Sequence, residues 1–445
     1  MSRSLRGPRS SLFKTVRFLK DTAGFFRECV ERYGDPFLAH LPMGTVAVTG
    51  DPEGLREIFS ADPDTFEPMA RLVLEPLVGL NSMLLISGER HKRERKLLMP
   101  AFHGERMRAY GALMQQCTRS AMEAARPGTS LVALDATQSI SLEIIIRAVF
   151  GVEEPERARQ FRDALTTYGR SYTLPISMFP GLRRSFGGRG PWARFQRNGQ
   201  VLDAMLTEQI ARQRADSRQR EDILSLLLSV RDEAGQPLSD QELKDELRTL
   251  LFAGHETTAI GMAWALYWLH RTPGAKQRLE QELSTLGPQP EPEALMRLPY
   301  LGAVCDETLR LYPVVALTNR KVRTSFTLRG HEIHAGMGVV ASITLAHSNP
   351  AVFPEPEQFR PERFLERKFS PFEYLPFGGG SRRCLGAAFA LYEMKVVLGT
   401  LLSAHRFSLA HDRPIRPVRR HVTLAPEDGV PLRYEGLVPA ASAAA

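Results

Sequence analysis

The residue with the clearest chemical potential is Cys384, which lies in the stretch 377–386 that reads F-G-G-G-S-R-R-C-L-G. Three consecutive glycines, 378–380, allow the backbone to wrap closely around a sulfur atom and to point N–H groups at it. The segment from Leu385 to Leu402 is predicted to be a helix, so Cys384 would lie at its positive N-terminal end. That position favours the thiolate, which is the form that binds metals.

Other residues of this loop suit the same purpose. Phe377 can shield the sulfur from water, and Gly378 permits backbone angles that a side chain would forbid. Gly386 would let the chain pass a flat ligand. The alternative interpretation is a buried free cysteine beside a glycine loop, which is the usual fate of a lone cysteine.

A second group of chemically competent residues is the segment 253–258, A-G-H-E-T-T. Glu256 and Thr257 put a carboxyl group beside a hydroxyl, a combination that can deliver protons. Gly254 in the middle of a helix costs about 1 kcal/mol relative to alanine, which favours a local reason for it. The alternative is a threonine that hydrogen-bonds to its own helix and a solvated glutamate.

Two pairs of charged residues have helical spacing. Glu307 and Arg310 are three residues apart and can form an ion pair on one helix face, a pattern that is common and weak by itself. His91 and Arg95 are four residues apart in the helical segment from Gly88 to Phe102 and could bind acidic groups. His91 alone would more often be an ordinary surface histidine.

One long helix and several short strands must position these residues. Ser239 and Glu242 form a capping box, and helix-compatible sequence continues to Leu269 before Pro273 ends it, which is about 30 residues or roughly 45 Å. Segment 39–50 is predicted to be a hairpin that turns at Met43-Gly44. Segment 320–343 alternates, with turns at 329–330 and 335–336. The predicted fold class is mainly α with small peripheral β-sheets.

Composition and charge limit the class of protein. Of the 445 residues 43% are hydrophobic, as in an ordinary globular protein. The four cysteines, Cys29, Cys117, Cys305 and Cys384, are far apart, so a reducing compartment is expected. No apolar run reaches 18 residues, and the N-terminus has no signal-peptide pattern, so neither a membrane span nor an anchor is expected.

The net charge of +8 does not by itself indicate nucleic acid, since the basic residues are spread among 50 acidic ones and no nucleic-acid-binding motif is present. A solvated surface explains it more simply than a basic patch for an acidic electron-transfer partner. We predict a mobile basic tail over 1–20, a single domain over 21–438 and a C-terminal tail over 439–445.

The cysteine loop closely resembles the haem-binding loop of the cytochrome P450 superfamily, F-x-x-G-x-R-x-C-x-G, and the match continues through Ala390 and Glu393. The other landmarks follow in family order over about 400 residues. The resemblance implies the cytochrome P450 fold, with a long central helix over haem b and Cys384 as the axial ligand of the iron. It also implies a structural triad of Glu307, Arg310 and Arg363.

The resemblance further assigns roles to individual residues. The haem propionates would be held by His91, Arg95, Arg320 and Arg382, of which Arg320 rests on spacing alone. Ala253 and Gly254 would lie over the distal face of the haem. Thr257 would hydrogen-bond dioxygen, and Glu256 would help to relay protons.

The function implied is that of a monooxygenase that hydroxylates or epoxidises a lipophilic small molecule. The overall pattern most resembles bacterial members of the family that act on fatty acids or terpenoids. A ferredoxin and its NAD(P)H-dependent reductase would supply electrons to a cytoplasmic monomer. The substrate pocket would be lined by apolar segments, namely 69–77, 172–179, 252–253, 314–317 and 422–424.

Two other functions stay open at this point. One is a non-oxygenating or peroxide-driven member of the same fold, which the Glu256-Thr257 pair argues against. The other is a non-catalytic haem sensor, for which Thr257 would be superfluous. Turnover with NADH and a generic ferredoxin system distinguishes these alternatives from a monooxygenase.

Overall fold

The computed structural model describes residues 5–9, 11–41, 43–102, 106–218 and 220–438. Contacts divide the chain into two compact units. The first comprises residues 1–69, 114–139 and 257–445, and the second comprises 70–113 and 140–256. The single domain over 21–438 stays a prediction, and the C-terminal tail over 439–445 lies outside the described residues.

Helices dominate both units, as the sequence predicts. The helices are α1 (Leu12–Lys20), α2 (Thr22–Tyr33), α3 (Pro52–Ser60), α4 (Arg71–Val78), α5 (Gly88–Leu98), α6 (Arg106–Met122), α7 (Ala133–Ala148), α8 (Pro155–Ser171), α9 (Leu174–Met178), α10 (Pro191–Ala215), α11 (Ile223–Ser229), α12 (Asp240–Arg271), α13 (Pro273–Ser284), α14 (Pro292–Arg297), α15 (Pro299–Leu311), α16 (Ile343–His347), α17 (Arg363–Glu366) and α18 (Ala387–Ala404).

All strands of the described residues belong to the first unit. They are β1 (Phe37–Leu41), β2 (Gly44–Thr49), β3 (Phe66–Pro68), β4 (Ser130–Val132), β5 (Leu317–Val322), β6 (Phe326–Leu328), β7 (His331–Ile333), β8 (Gly338–Ser342), β9 (His405–Leu409), β10 (Pro417–Arg420), β11 (Thr423–Pro426) and β12 (Pro431–Leu437). One sheet has five strands in the order β1-β2-β8-β5-β3, and another has three in the order β4-β12-β9. Two further pairs are β10-β11 and β6-β7.

The predicted hairpins are present, with one shift in position. β1 and β2 are antiparallel, and Leu41 pairs with Gly44, so the turn lies one residue earlier than predicted. β6 and β7 join at Arg329-Gly330, where both residues have positive φ. Two successive positive-φ residues match the twist of a tight hairpin, which confirms the predicted turn.

The long helix has the predicted capping box. The Ser239 N–H donates to Glu242 Oε2 at 2.8 Å, and the Glu242 N–H donates to Ser239 Oγ at 3.3 Å. These reciprocal bonds satisfy backbone donors that a helix start leaves unpaired. α12 then continues for 32 residues, and Pro273 begins the next helix.

The mobile tail over 1–20 stays a prediction, and part of that segment is helical. Leu12–Lys20 form α1, and Phe18 is buried against Phe25 and Phe26 of α2. The Leu38 N–H also donates to the carbonyl of Arg6 at 2.8 Å, which joins the preceding segment to β1. The excess of basic residues in the sequence gives no sign of the apolar contact that Phe18 makes.

α18 is a largely buried helix of the first unit. By length and composition it is the one described helix that could cross a membrane, with a mean hydropathy of 1.4 over 18 residues. However, 72% of that window is buried in the protein, as in the core helix of a globular domain. Its apolar character therefore serves packing around the loop that precedes it.

Candidate active site

The cysteine loop leads directly into α18. The Cys384 N–H donates to the carbonyl of Phe377 at 2.9 Å, and the Arg383 N–H donates to that of Gly380 at 3.1 Å. Gly378 and Gly380 both have φ of 66°, a left-handed conformation that favours glycine. The loop thus turns back on itself and ends with Cys384 three residues before the helix begins.

Phe59 of α3 holds the loop from one side. A Cβ atom at Gly380 would lie 2.5 Å from the carbonyl oxygen of Phe59, and one at Gly379 would lie 2.6 Å from its ring. Close packing therefore requires both glycines, and the left-handed φ requires glycine at Gly380 as well. Phe59 is a contact that the sequence did not predict.

Cys384 differs from the other cysteines of the chain. It is exposed, whereas Cys29, Cys117 and Cys305 are buried, and none of the four forms a disulfide. Burial raises the pKa of Cys29 to about 11 and that of Cys305 to about 12, so both remain protonated thiols at neutral pH. Cys384 alone combines access with a position just before a helix N-terminus, where the dipole favours an anion.

Arg320 lies against the same loop. It is buried in β5, and its Nη2 donates to the carbonyl of Gly379 at 3.0 Å. Its guanidinium lies over the rings of Phe59 and Phe66, at 5.2 and 5.5 Å. Burial first and the charge of Arg382 second lower the pKa of Arg320 to about 10.

Arg320 and Arg382 are therefore two neighbouring cations. Among the described residues, no carboxylate forms an ion pair with Arg320, although it is only 7% exposed. A buried charge is normally compensated by an opposite one. This arrangement suits an anionic group that approaches the loop from outside the chain.

Glu307, Arg310 and Arg363 come together in the core of the first unit, where each is at most 3% exposed. Arg310 donates to both oxygens of Glu307, through Nε at 2.7 Å and Nη2 at 2.9 Å. Arg363 Nε donates to Glu307 Oε1 at 3.0 Å. The remaining guanidinium donors reach backbone carbonyls of the segment 354–358, so this triad fastens that segment to α15.

His347 connects the triad with the cysteine loop and was missed by sequence reasoning. Its Nε2 accepts the N–H of Leu375 at 3.0 Å, so its Nδ1 carries the proton and donates to the carbonyl of Arg310 at 3.1 Å. Complete burial first and the charge of Arg310 second lower the pKa of His347 to about 3, so the ring is neutral. Leu375 lies two residues before Phe377, and no local pattern marks His347 for this role.

In the second unit, α5 carries the two predicted basic residues. His91 is buried and Arg95 is half-buried, and their spacing of four places them on one helical face. Between them, Glu94 accepts from Arg90 Nε at 2.8 Å, and Arg90 Nη2 also donates to Glu242 of α12 at 3.2 Å. α5 is therefore joined to the start of α12.

A pair of fully buried acids makes a second link between these helices. Glu246 of α12 accepts the N–H of Met83 at 2.6 Å, and its carboxyl group lies close enough to that of Glu94 to interact with it. Burial first and the charge of Glu94 second raise the pKa of Glu246 well above its usual value. The same burial raises the pKa of Glu94, so the interior favours the protonated form of this pair. The sequence gives no signal for this pair.

The segment 253–258 lies within α12 without a break in the helix. Ala253 is exposed, and Gly254, Glu256 and Thr257 are partly exposed. A Cβ atom at Gly254 would lie 3.0 Å from the Cδ1 atom of Ile145, so the helix-to-helix packing of the second unit supplies a local reason for this glycine. In the first unit, the Thr137 hydroxyl donates to the carbonyl of Ala259, the residue directly after the segment, at 2.9 Å.

Several of the predicted pocket-lining residues are engaged in packing. Tyr172 is 3% exposed and contacts the ring of Phe195 at 4.9 Å, and Phe252 contacts Tyr168 at 5.8 Å. In the first unit, the Leu424 N–H donates to the carbonyl of Val314 at 2.8 Å, which joins two of the predicted lining segments.

Comparison with known proteins decides the family. The family model for cytochrome P450 matches residues 10–431. Cytochrome P450 135B1 of Mycobacterium tuberculosis is 33% identical over 437 residues, covering 96% of this chain and 90% of the relative. Cytochrome P450 137 of the same species is 35% identical over 418 residues, covering 91% and 84%. The chain belongs to the cytochrome P450 family.

Solved structures show the same fold. The retinoic acid-bound cyanobacterial cytochrome CYP120A1 has a TM-score of 0.86 and 27% identity, covering 98% of this chain and all of that one. The haem domain of cytochrome P450DA, at 23% identity, also has a TM-score of 0.86 and covers 99% of each chain. The predicted family and fold class are both confirmed.

Membership in the cytochrome P450 family implies a haem held by a cysteine thiolate and an oxidoreductase of the monooxygenase class, which uses dioxygen and a redox partner. The chain's own residues fit that group. Gly386 has an ordinary φ of −84°, and no protein atom lies within 4 Å of a Cβ built there, so there is open space beside Cys384. Arg320 and Arg382 supply positive charge for carboxylates beside the same loop.

The triad generates a first prediction. Replacing Glu307 with glutamine removes the negative charge from between two buried guanidinium groups, so it should lower the free energy of unfolding by about 3–5 kcal/mol. Chemical denaturation followed by circular dichroism measures this loss. Glu362, a partly exposed acid paired with Arg278, is the matched control, and its replacement with glutamine should cost less than about 1 kcal/mol. Equal losses in the two variants would contradict the structural role of the triad.

The buried acid pair generates a second prediction. A raised pKa means that folded Glu246 binds a proton that the unfolded chain releases, so wild-type stability should fall as pH rises from about 4.5 towards the folded pKa. Glu246→Gln removes this loss, and its stability relative to wild type should therefore increase with pH over that window. Denaturation curves recorded from acid to mildly alkaline pH measure the difference.

The matched control for that experiment is Glu242→Gln on the same helix. Burial opposes the shift, but hydrogen bonds from Ser239 lower the pKa of Glu242, so the stability of this variant relative to wild type should decrease as pH rises. A Glu246→Gln variant whose relative stability did not change with pH would rule out the raised pKa of Glu246.

Proposed function

We propose that this chain is a cytochrome P450 monooxygenase that inserts one oxygen atom of dioxygen into a lipophilic small molecule, by hydroxylation or epoxidation. The observation that carries the proposal is Cys384, the single exposed cysteine, at the tip of a glycine loop that leads into α18. When bound, the haem supplies the oxidising chemistry, because a thiolate ligand favours cleavage of the O–O bond.

We assign the binding of haem to residues of the cysteine loop and to four basic side chains. Cys384 is the iron ligand, Phe377 shields its sulfur, and Gly378 and Gly386 leave room for the macrocycle. The propionates are assigned to Arg320, Arg382, His91 and Arg95. The support for Arg320 is its burial without a carboxylate partner beside Arg382.

We assign the delivery of protons to Glu256 and Thr257. Reduction of dioxygen to water at one of its oxygens consumes protons, and a hydroxyl beside a carboxyl can hand them on in sequence. Ala253 and Gly254 precede this pair on α12 and are assigned to the distal face of the haem. The partial exposure of Glu256 and Thr257 supports access by water and by a small ligand.

The substrate class is proposed from the apolar character of the segments expected to line the pocket. The cyanobacterial relative was solved with retinoic acid, a lipophilic carboxylic acid, which favours the same class here. A fatty acid or a terpenoid fits this class, since both are held mainly by burial. A ferredoxin and its NAD(P)H-dependent reductase are the proposed electron donors for a cytoplasmic monomer.

Turnover tests the function as a whole. Purified holoprotein, NADH, a generic ferredoxin system and a library of lipophiles should give an oxygenated product and a low-to-high spin shift with its substrate. Product formed from peroxide but never from NADH would favour a peroxygenase, and haem binding without any product would favour a sensor.

Replacement of Cys384 with serine tests the ligand assignment. The red-shifted Soret band of the ferrous–CO complex should disappear, because it requires a thiolate on the iron. Cys29→Ser is the matched control, since Cys29 is a buried thiol of α2, and it should keep the band. Survival of the band in Cys384→Ser would refute the assignment.

Replacement of Thr257 with alanine tests the proton delivery. Haem and substrate binding should be unchanged, while the rate of product formation should fall about 100-fold as reducing equivalents are diverted to hydrogen peroxide. Thr257→Ser keeps the hydroxyl and should restore product. The measurements are product and peroxide formed per NADH consumed, and unchanged coupling in the alanine variant would count against the role.

A further inference from the structure

α1 presents an apolar face that the described part of the chain leaves uncovered. Leu12 and Phe13 are 81% and 75% exposed, the highest values of any large apolar side chain in the described residues, and Val16 is 42% exposed. With Arg17 and Lys20, these residues have the spacing i, i+1, i+4, i+5 and i+8, which defines one face of a helix. On this outer face, the apolar side chains lie towards the start of α1 and the cationic side chains lie towards its end.

The position of α1 is set by contacts before, within and behind it. A Cβ atom at Gly7 would lie 1.8 Å from the carbonyl oxygen of Leu38, so the preceding segment runs closely along β1. Ser11 caps the helix, because its hydroxyl accepts the N–H of Lys14 at 3.3 Å. Phe18 points inward, and Arg419 of β10 lies over its ring at 5.3 Å. These contacts fix the orientation of α1, so its outer face stays exposed.

Positive charge surrounds this outer face. Residues 1–20 contain six basic side chains and no acidic one. Arg6, Arg9 and Lys20 are exposed, and Arg416 and Arg420 flank the strand that packs behind the helix. Part of this charge is compensated, since Arg17 pairs with Glu28 at 2.8 Å and Asp21 follows the helix. The remaining net charge of this region is positive, so an anionic surface would complement it.

The shape of the outer face favours a lipid surface over a protein. A specific protein interface of standard size buries about 800 Å² on each partner, which is far more than three side chains on a nine-residue helix provide. A membrane surface requires only a few inserted apolar side chains with cations near anionic headgroups. Helices of this kind lie in the plane of the interface and do not span the bilayer.

We propose that α1 docks this protein on the surface of an anionic lipid bilayer, with Leu12, Phe13 and Val16 inserted among the acyl chains and the surrounding cations at the headgroups. This inference goes beyond the proposed function and does not depend on it, since it concerns peripheral attachment of the whole protein. It would place the enzyme where lipophilic molecules concentrate.

Vesicle co-sedimentation of the full-length holoprotein tests the docking. The protein should bind vesicles that contain phosphatidylglycerol at low ionic strength, release them as salt is added, and bind vesicles of pure phosphatidylcholine at least about 10-fold more weakly. The triple variant L12S/F13S/V16S should bind the anionic vesicles at least about 10-fold more weakly than wild type. The charge variant R9E/K20E should show a loss of similar size.

The matched control is V201S/L437S, which removes two other exposed apolar side chains, 55% and 68% exposed, and should bind as wild type. Circular dichroism and the ferrous–CO spectrum verify that each variant is folded and loaded with haem. As a direct probe, Phe13→Trp should show a blue-shifted emission on anionic vesicles, whereas Val201→Trp should not.

Four results would overturn the proposal. These are no binding of wild type to anionic vesicles at low salt, undiminished binding of the triple variant, unshifted emission of Phe13→Trp on vesicles that the protein does bind, and dependence on Leu12 and Phe13 for binding an acidic ferredoxin but not for binding lipid. The last result would assign the outer face to a protein partner. None of these measurements uses turnover, so their failure leaves the proposed function intact.

Discussion

A thiolate that binds a metal must be kept accessible on one side while backbone and packing restrain it on every other side. The loop 377–386 meets this requirement with glycines that turn left-handed or lie against Phe59, and with a hydrogen bond from the Cys384 N–H to Phe377. Burial makes ordinary thiols of Cys29 and Cys305. Cys384 thus differs chemically from the other cysteines because of its surroundings. Buried contacts of the first unit hold those surroundings in place.

Paired charges in the core of the first unit hold the cysteine loop in place. Glu307 compensates Arg310 and Arg363, their spare donors hold the segment 354–358, and neutral His347 transmits that restraint to Leu375 at the entrance of the cysteine loop. Because a buried ion pair is costly to break from one side, such a network favours a single arrangement of the loop over alternatives of similar energy. Arg320 adds a tether to the carbonyl of Gly379 from β5.

Local chemistry made part of this structure predictable. The capping box at Ser239 and the turn at Arg329-Gly330 depend on adjacent residues, and the family pattern located Cys384 and the triad. What escaped prediction joins distant segments without a local pattern, as with His347 and the Glu94–Glu246 pair. The mobile tail over 1–20 stays a prediction, but its composition, in which basic residues dominate, gives no sign that Phe18 is buried and positions α1.

X-ray absorption at the iron edge of the wild-type holoprotein directly observes the proposed bond between iron and the sulfur of Cys384. For ferric holoprotein without added ligands, the fine structure should require one sulfur atom in the first coordination shell together with the porphyrin nitrogens. A first coordination shell that contains only nitrogen and oxygen would show that the sulfur of Cys384 does not bind the iron.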